Sequence, residues 1–252
     1  METLDVKGST EDMELTRMKT VGEMVTHDHR AAAVFEKYFI DFCCNGGKTL
    51  DVACGERGVD AGTVLQELQD LNKGGDLKSF RPDEWGLDVL SDFIVNNHHR
   101  YVRRTLPVIL AHVDKVLSVH GKNHPELAGI ADRFHAVGEE LTHHMQKEEL
   151  VLFPYIKAMV AAEDARTRVN VPPFGTIANP IRMMKAEHQS AGDAFSFIRR
   201  TSSNFAIPAD ACTTFQVTYK ELEEFERDLH QHIHLENNIL FPKAITLEGR
   251  ID

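Results

Sequence analysis

Apolar residues recur along the C-terminal two-thirds of the chain in unbroken steps of three and four, the spacing that keeps side chains on one face of an α-helix. One stripe runs through Val95, His99, Val102, Leu106, Ile109, Val113 and Val116, and a second through Leu127, Ile130, Phe134, Val137, Leu141, His144, Glu148, Val151 and Tyr155. A third takes Ile177, Ile181, Met184, His188, Ala191, Phe195 and Ile198, and a fourth Leu222, Phe225, Leu229, His232, Glu236 and Ile239. These stripes predict four long helices over about 87–120, 125–164, 177–203 and 209–245. Gly121 to Pro125, Val171 to Gly175 with Asn179-Pro180, and Pro208 mark the breaks. Upstream, shorter patterns predict helices at about 21–26, 30–38, 50–56 and 59–71. They are interrupted by Cys43-Cys44-Asn45-Gly46-Gly47 and by Gly55 and Gly58. Strand alternation is nearly absent. The expectation is an all-α protein: a polar leader at 1–19, a small helical domain at 20–75 and a four-helix bundle at 76–252. The Gly-containing turn from Asn72 to Asp76 is the linker.

Polar residues interrupt all four stripes. His99, His144, His188 and His232 hold positions that apolar residues hold on either side, and Glu148 and Glu236 follow two of them one turn later. Two stretches are near-duplicates: His144, Glu148, Phe153 and Pro154 recur at the same spacing as His232, Glu236, Phe241 and Pro242. A four-residue step returns to the same helix face, so each stretch offers an imidazole and a carboxylate stacked together. A carboxylate in an apolar seam is costly unless it is paired or bound to a metal. Arg103, Arg104, Lys147 and Lys243 fall off the stripe or far along it. A single core histidine has an ordinary explanation as a hydrogen-bonded packing residue; six intrusions over four helices do not. Nitrogen and oxygen donors without thiolate suit iron or manganese, with zinc possible. Two glutamates able to bridge imply two ions, roughly 3.5–4 Å apart as in two-metal sites generally. Positions remain for a bridging oxide or hydroxide and an exogenous ligand.

The neighbours of these six can be graded by angle. His98 lies about 100° round the helix from His99, and His143 and His234 are likewise off the seam, as solvated or supporting residues. Glu140 lies one turn before His144, and Glu187 adjoins His188. Both are candidates to orient ligands or relay protons, against the plainer reading of solvated helix carboxylates. Glu140 and His143 form one Glu-x-x-His string, which has no second copy in the fourth helix.

Composition narrows the partners. The formal net charge of −11 over 252 residues argues against a nucleic-acid backbone, which needs basic clusters. No uncharged apolar run approaches the roughly 18 residues of a membrane span, and the first 20 residues lack a secretory apolar core, so the reading is cytoplasmic. The cysteines are Cys43, Cys44, Cys54 and Cys212, without zinc spacing, and are expected reduced. Adjacency disfavours a Cys43–Cys44 disulfide. The pair reads either as a redox or metal-transfer site or as two half-buried thiols closing a loop, and Cys54 and Cys212 read as packing residues.

Several strings together give a resemblance: DFCCNGGKTL from Asp41 to Leu50, HHRY from His98 to Tyr101, HMQKE from His144 to Glu148, Glu187-His188, and HIHLENNILFP from His232 to Pro242. The bundle resembles hemerythrin-like di-iron proteins. From about Thr20 onward the chain is similar to the di-iron iron–sulfur cluster repair family. That resemblance implies two non-haem iron ions, oxo- or hydroxo-bridged, held by His99, His144, Glu148, His188, His232 and Glu236, the same six residues. It further implies repair of clusters damaged by nitric oxide or peroxide, with damaged iron–sulfur proteins as clients and nitric oxide or O2-derived small molecules as ligands. It also makes Cys43 and Cys44 redox or iron-transfer candidates. The alternatives are a nitric oxide or peroxide reductase, or a hemerythrin-like O2/NO binding protein. An oxygen carrier is expected to divide its histidines unequally between the metals. Monomer and homodimer are both compatible.

Overall fold

A computed structural model describes residues 18–71 and 81–251. The leader up to residue 17 and the linker expected at Asn72 to Asp76 lie outside the described residues. Those described are helical as expected, with a single isolated bridge between Thr20 and Thr49. None of their helices is long and apolar enough to cross a membrane.

One compact unit comprises the described residues up to Trp85 together with His234–Ile239. Its helices are α1 Val21–His27, α2 Ala31–Lys37, α3 Leu50–Arg57 and α4 Ala61–Leu71. A reciprocal cap starts α1: the Glu23 N–H donates to Thr20 Oγ1, and the Thr20 N–H donates to the Glu23 carboxylate. Gly58, at φ +66°, takes the left-handed turn that ends α3. The core is Val21, Phe35, Phe42, Leu50, Val64 and Leu65. The cysteine loop is laced to α1 by Val21 N to Lys48 O at 2.9 Å and Gly22 N to Gly46 O at 2.8 Å. Pro82–Glu84 forms only a short 3-10 turn; the first bundle helix starts at Leu87, after Gly86.

The other unit comprises Gly86–Ile233 and the described residues from Leu240 on. Four rods follow, three of them interrupted by a π-helical turn. The first is α5 Leu87–Ile94, the turn Val95–His99 and α6 Arg100–His120. The second is α7 Glu126–Lys147, the turn Glu148–Leu152 and α8 Phe153–Ala165. The third is α9 Ala178–Thr201, and the fourth is α10 Thr213–His234, the turn Leu235–Leu240 and α11 Phe241–Ile251. The fourth rod starts later and ends later than its periodicity suggests. Helices α6 and α9 both pack along α7, and α5 and α11 both pack on α8. Phe134, Phe195 and Phe225, from the second, third and fourth rods, fill the interior at centroid separations of 5.5–6.2 Å. Gly138 lets α7 approach α6: a Cβ there would sit 3.1 Å from Leu106 Cδ1. Glu248 caps the third rod by accepting the Ile177 N–H at 2.9 Å.

Two π turns have a visible cause in the duplicated motif. A proline inside a helix clashes with the carbonyl four residues back and removes a hydrogen bond. For Pro154 that carbonyl belongs to Leu150, and for Pro242 to Asn238, both within the wider turns. The i→i+5 turn takes up the extra residue. It also corrects the second stripe. Beyond Glu148 the buried positions are Leu152, Phe153 and Ile156, whereas Val151 is 46% exposed and Tyr155 half-buried. An extra residue in a turn rotates everything after it.

At the far end of the bundle, His124 Nδ1 meets Glu126 Oε1 at 2.9 Å and Nε2 meets Asp210 Oδ1 at 3.0 Å. The hydrogen bonds to Glu126 and Asp210 raise the imidazole above its ordinary 6.5. A raised cation contributes stability in full below pH 6.5 and loses it as pH climbs through the folded value. His124→Gln is therefore expected to lower the melting temperature by about 1–2 °C at pH 6, with the difference vanishing by pH 9. Thermal melts of the two proteins across pH test this.

Candidate metal centre

The widened turn Val95–His99 buries two adjacent histidines rather than one, His98 at 6% exposure and His99 at 0%. The expectation that His98 points away is corrected. Its ring lies flat against His232 at 5.6 Å and 8°, and its Nδ1 meets Asp228 at 3.0 Å. His144, His188, His232, Glu148 and Glu236 are all buried, as the stripes require. His143 is exposed, as expected, but His234 is 4% exposed, and burial drives its imidazole down to about 4, so it is neutral at pH 7.

The six seam residues converge. His99, Glu148, His232 and Glu236 bring one donor atom each to within 4.8 Å of one another, and His144, Glu148, His188 and Glu236 do the same. Both sets share the two glutamates. Glu148 divides its carboxylate between them, with Oε2 3.3 Å from His99 Nε2 and Oε1 3.2 Å from His144 Nε2. The imidazoles face each other in pairs: His99 Nε2 lies 3.2 Å from His232 Nε2, and His144 Nε2 lies 3.0 Å from His188 Nε2.

Outside the imidazoles stand two carboxylates. His99 Nδ1–H donates to Glu149 at 2.6 Å and His144 Nδ1–H to Glu187 at 2.7 Å. Each carboxylate is backed by a cation, Arg103 on Glu149 and Lys147 on Glu187. The His144 hydrogen bond, with Lys147 behind it, holds the Glu187 carboxyl down at about 2. Such a carboxylate fixes the tautomer with the proton on Nδ1 and turns the Nε2 lone pair inward. Two Phe rings complete the shell. Phe153 stacks on His99 at 5.8 Å and 17°, and Phe241 on His188 at 6.0 Å and 3°. The duplicated Leu-Phe-Pro endings thus shelter one histidine each.

The donor groups fit divalent cations. Donors about 2.1 Å from one octahedral ion stand about 3 Å apart at right angles. The observed spacings of 3.0–3.3 Å match that edge. Inward-turned Nε2 atoms and a divided carboxylate, all buried, are the donor chemistry such ions need.

Glu187 is a candidate from the sequence, Glu149 is not, and His98 is set aside there in favour of His99 on the stripe. The adjacency of Glu149 to Glu148 was the available signal, and the π turn behind His98 leaves none. Glu140 does not fill the role considered for it: it is exposed, accepting from Ser190 Oγ at 3.1 Å, and His144 Nδ1 is taken by Glu187.

A third candidate group is Asp41, Cys43 and Cys44. The two sulfurs lie 3.8 Å apart and Cys43 Sγ–H donates to Asp41 Oδ1 at 3.3 Å. Asp41 also accepts the N–H groups of Cys43 and Cys44 and an Asn45 amide proton. Contact with Cys44, burial and the Asp41 charge push the Cys43 thiol well up, so in this buried setting it is held as the thiol. Cys54 is buried as expected, but Cys212 is not a packing residue: it is exposed, with its sulfur 3.2 Å from His120 Nε2.

Comparison with known proteins agrees with this architecture. Residues 90–244 match the hemerythrin HHE cation binding domain, and residues 17–72 match a domain of unknown function, DUF542. The iron–sulfur cluster repair protein YtfE of Enterobacter sp. (strain 638) is 35% identical over 232 residues, covering 92% of this chain and 99% of the relative. Its counterparts in Musicola paradisiaca (strain Ech703) and Escherichia coli O81 (strain ED1a) are each 34% identical, with the same coverage. The chain belongs to this iron–sulfur cluster repair family. A hemerythrin domain carries non-haem iron, and within this repair family the buried His/Glu clusters are the residues of matching chemistry.

Proposed function

We propose that the chain holds two non-haem iron ions, one by His99 and His232 and one by His144 and His188, both bridged by Glu148 and Glu236. With them it repairs iron–sulfur clusters damaged by nitrosative or oxidative stress in client proteins of the cytoplasm. The observation that carries this reading is the sharing of both buried glutamates by two otherwise separate histidine pairs. Bound there, the ions supply a source of iron for rebuilding clusters and a site that takes up nitric oxide. The protein's own residues do the rest. Glu149 and Glu187 keep the Nδ1 protons in place, Phe153 and Phe241 exclude water, and the thiols of the 20–75 domain serve redox chemistry once iron has left. The equal division of histidines between the two sets counts against simple oxygen carriage.

The test is a cluster enzyme inactivated by nitric oxide and then incubated with iron-loaded or metal-free protein. The loaded form is expected to restore its activity and the metal-free form is not; equal recovery with both would defeat the proposal. A finer prediction concerns Glu149. Glutamine there keeps a hydrogen-bond acceptor for His99 but removes the charge, and metal affinity is expected to fall 10–100-fold. Competition against a chromogenic chelator measures this, and an unchanged affinity would remove Glu149 from the account.

A further inference from the structure

The cysteine loop and the turn that carries Glu236 share one set of hydrogen bonds. Asn237 and Asn238 directly follow Glu236. Asn237 Nδ2 donates to the Cys43 carbonyl at 3.3 Å, and Asn238 Nδ2 to the carbonyls of Phe42 at 3.1 Å and Cys43 at 3.3 Å. His234, one turn earlier, sets Nδ1 3.0 Å from Asn238 Nδ2 and Nε2 3.4 Å from Thr26 Oγ1, with its ring edge-on to Phe42. Two glycines make the seat. A Cβ on Gly46 would stand 2.6 Å from Asn238 Oδ1, and one on Gly22 3.0 Å from it. No larger residue fits at either position without displacing the amide. Nothing in helix formation calls for two asparagines here; their propensity is poor.

We infer that Asn237 and Asn238 are positioning residues that couple the iron centre to the Cys43–Cys44 loop. The inference rests on the iron reading above. A cation held by Glu236 fixes the turn, the turn fixes the two amides, and the amides hold the carbonyls of Phe42 and Cys43 so that the Cys43 sulfur stays buried. When the cation leaves, the turn loosens and the loop opens. Cys43 thus becomes reactive only after iron has been given up, which sets an order of events for reloading or for thiol chemistry with a client. Coupling of this kind is reciprocal: a blocked Cys43 weakens iron retention by the same factor.

The test uses the wild-type chain, iron-loaded and chelator-stripped, with metal content measured first. Each form is pulsed with N-ethylmaleimide, and Cys43, Cys44 and Cys54 are quantified by peptide mass spectrometry. Cys43 is expected to label about tenfold faster in the stripped form, while Cys54, buried on α3 in the same unit, stays slow in both. Equal Cys43 rates overturn the inference, and so does parallel release of Cys54, which would signal general loosening. A chain that binds no iron fails at the first measurement, and then it is the iron reading that falls. Asn238→Ala, iron-loaded, is expected to label at Cys43 as fast as the stripped wild type; persistent protection removes Asn238 from the coupling. Should that variant not retain iron, the reciprocal measurement decides. Stripped wild type alkylated at Cys43 and then reloaded is expected to hold iron about tenfold more weakly than unmodified protein in equilibrium competition with a chelator, and an unchanged affinity overturns the inference.

Discussion

Glu148→Leu is expected to abolish iron binding and repair while making the metal-free protein more stable. Glu148 has no solvent exposure, and its two oxygens face His99 on one side and His144 on the other. Removing it takes a carboxylate from both His/Glu groups at once, so neither keeps its full set. In the metal-free protein the same carboxylate is a desolvated acid among imidazoles. Replacing a buried ionic group by a well-packed apolar side chain of similar volume is often neutral or stabilising by about 1–4 kcal/mol. The variant should elute from a desalting column without iron, fail to restore a nitric-oxide-damaged cluster enzyme, and unfold at higher denaturant than stripped wild type. A variant that keeps two ions would show that Glu148 does not bridge. A variant less stable than the stripped wild type would show that the carboxylate is satisfied by the protein alone.

Stripping the iron from wild-type protein is expected to lower the melting temperature by about 8–16 °C. Binding to the folded state alone stabilises by about 4 kcal/mol when free metal exceeds its dissociation constant a thousandfold, and a domain of this size shifts by about 2–4 °C per kcal/mol. The loss should be local. Amide exchange should accelerate in Val95–His99, Glu148–Leu152 and Leu235–Leu240, the three π turns that carry His99, Glu148 and Glu236. The helical turns around Phe134, Phe195 and Phe225 should change little, since their packing contains no candidate ligand. An unchanged melting temperature would mean that the centre is not coupled to the core.

Much of this could be read before any coordinates. Three- and four-residue spacing identified the four rods because burial of one helix face imposes that period on the sequence. The same argument picks out the six seam residues that the structure gathers into two His/Glu groups, because a carboxylate at such a position demands an explanation. The reading failed where the helix departs from regularity. A π turn leaves no compositional mark, so the burial of His98, Leu152 and Phe153 and the exposure of Val151 were not visible. Contacts between distant parts of the chain escaped for a different reason: the pairing of Glu149 with His99, of Glu248 with the Ile177 N–H and of Asn238 with the Phe42 carbonyl depends on packing that no local window contains. Glu140 misled because one turn of separation from His144 is necessary for contact but does not set the direction of the side chain.

On the proposed function, six side chains from the four rods hold a bridged pair of ions. Anomalous diffraction at the iron edge from crystals of the iron-loaded protein tests it directly. The account predicts two peaks about 3.5–4 Å apart, one beside His99 and His232, the other beside His144 and His188, with Glu148 and Glu236 reaching both. A single peak, or peaks away from these residues, would contradict it.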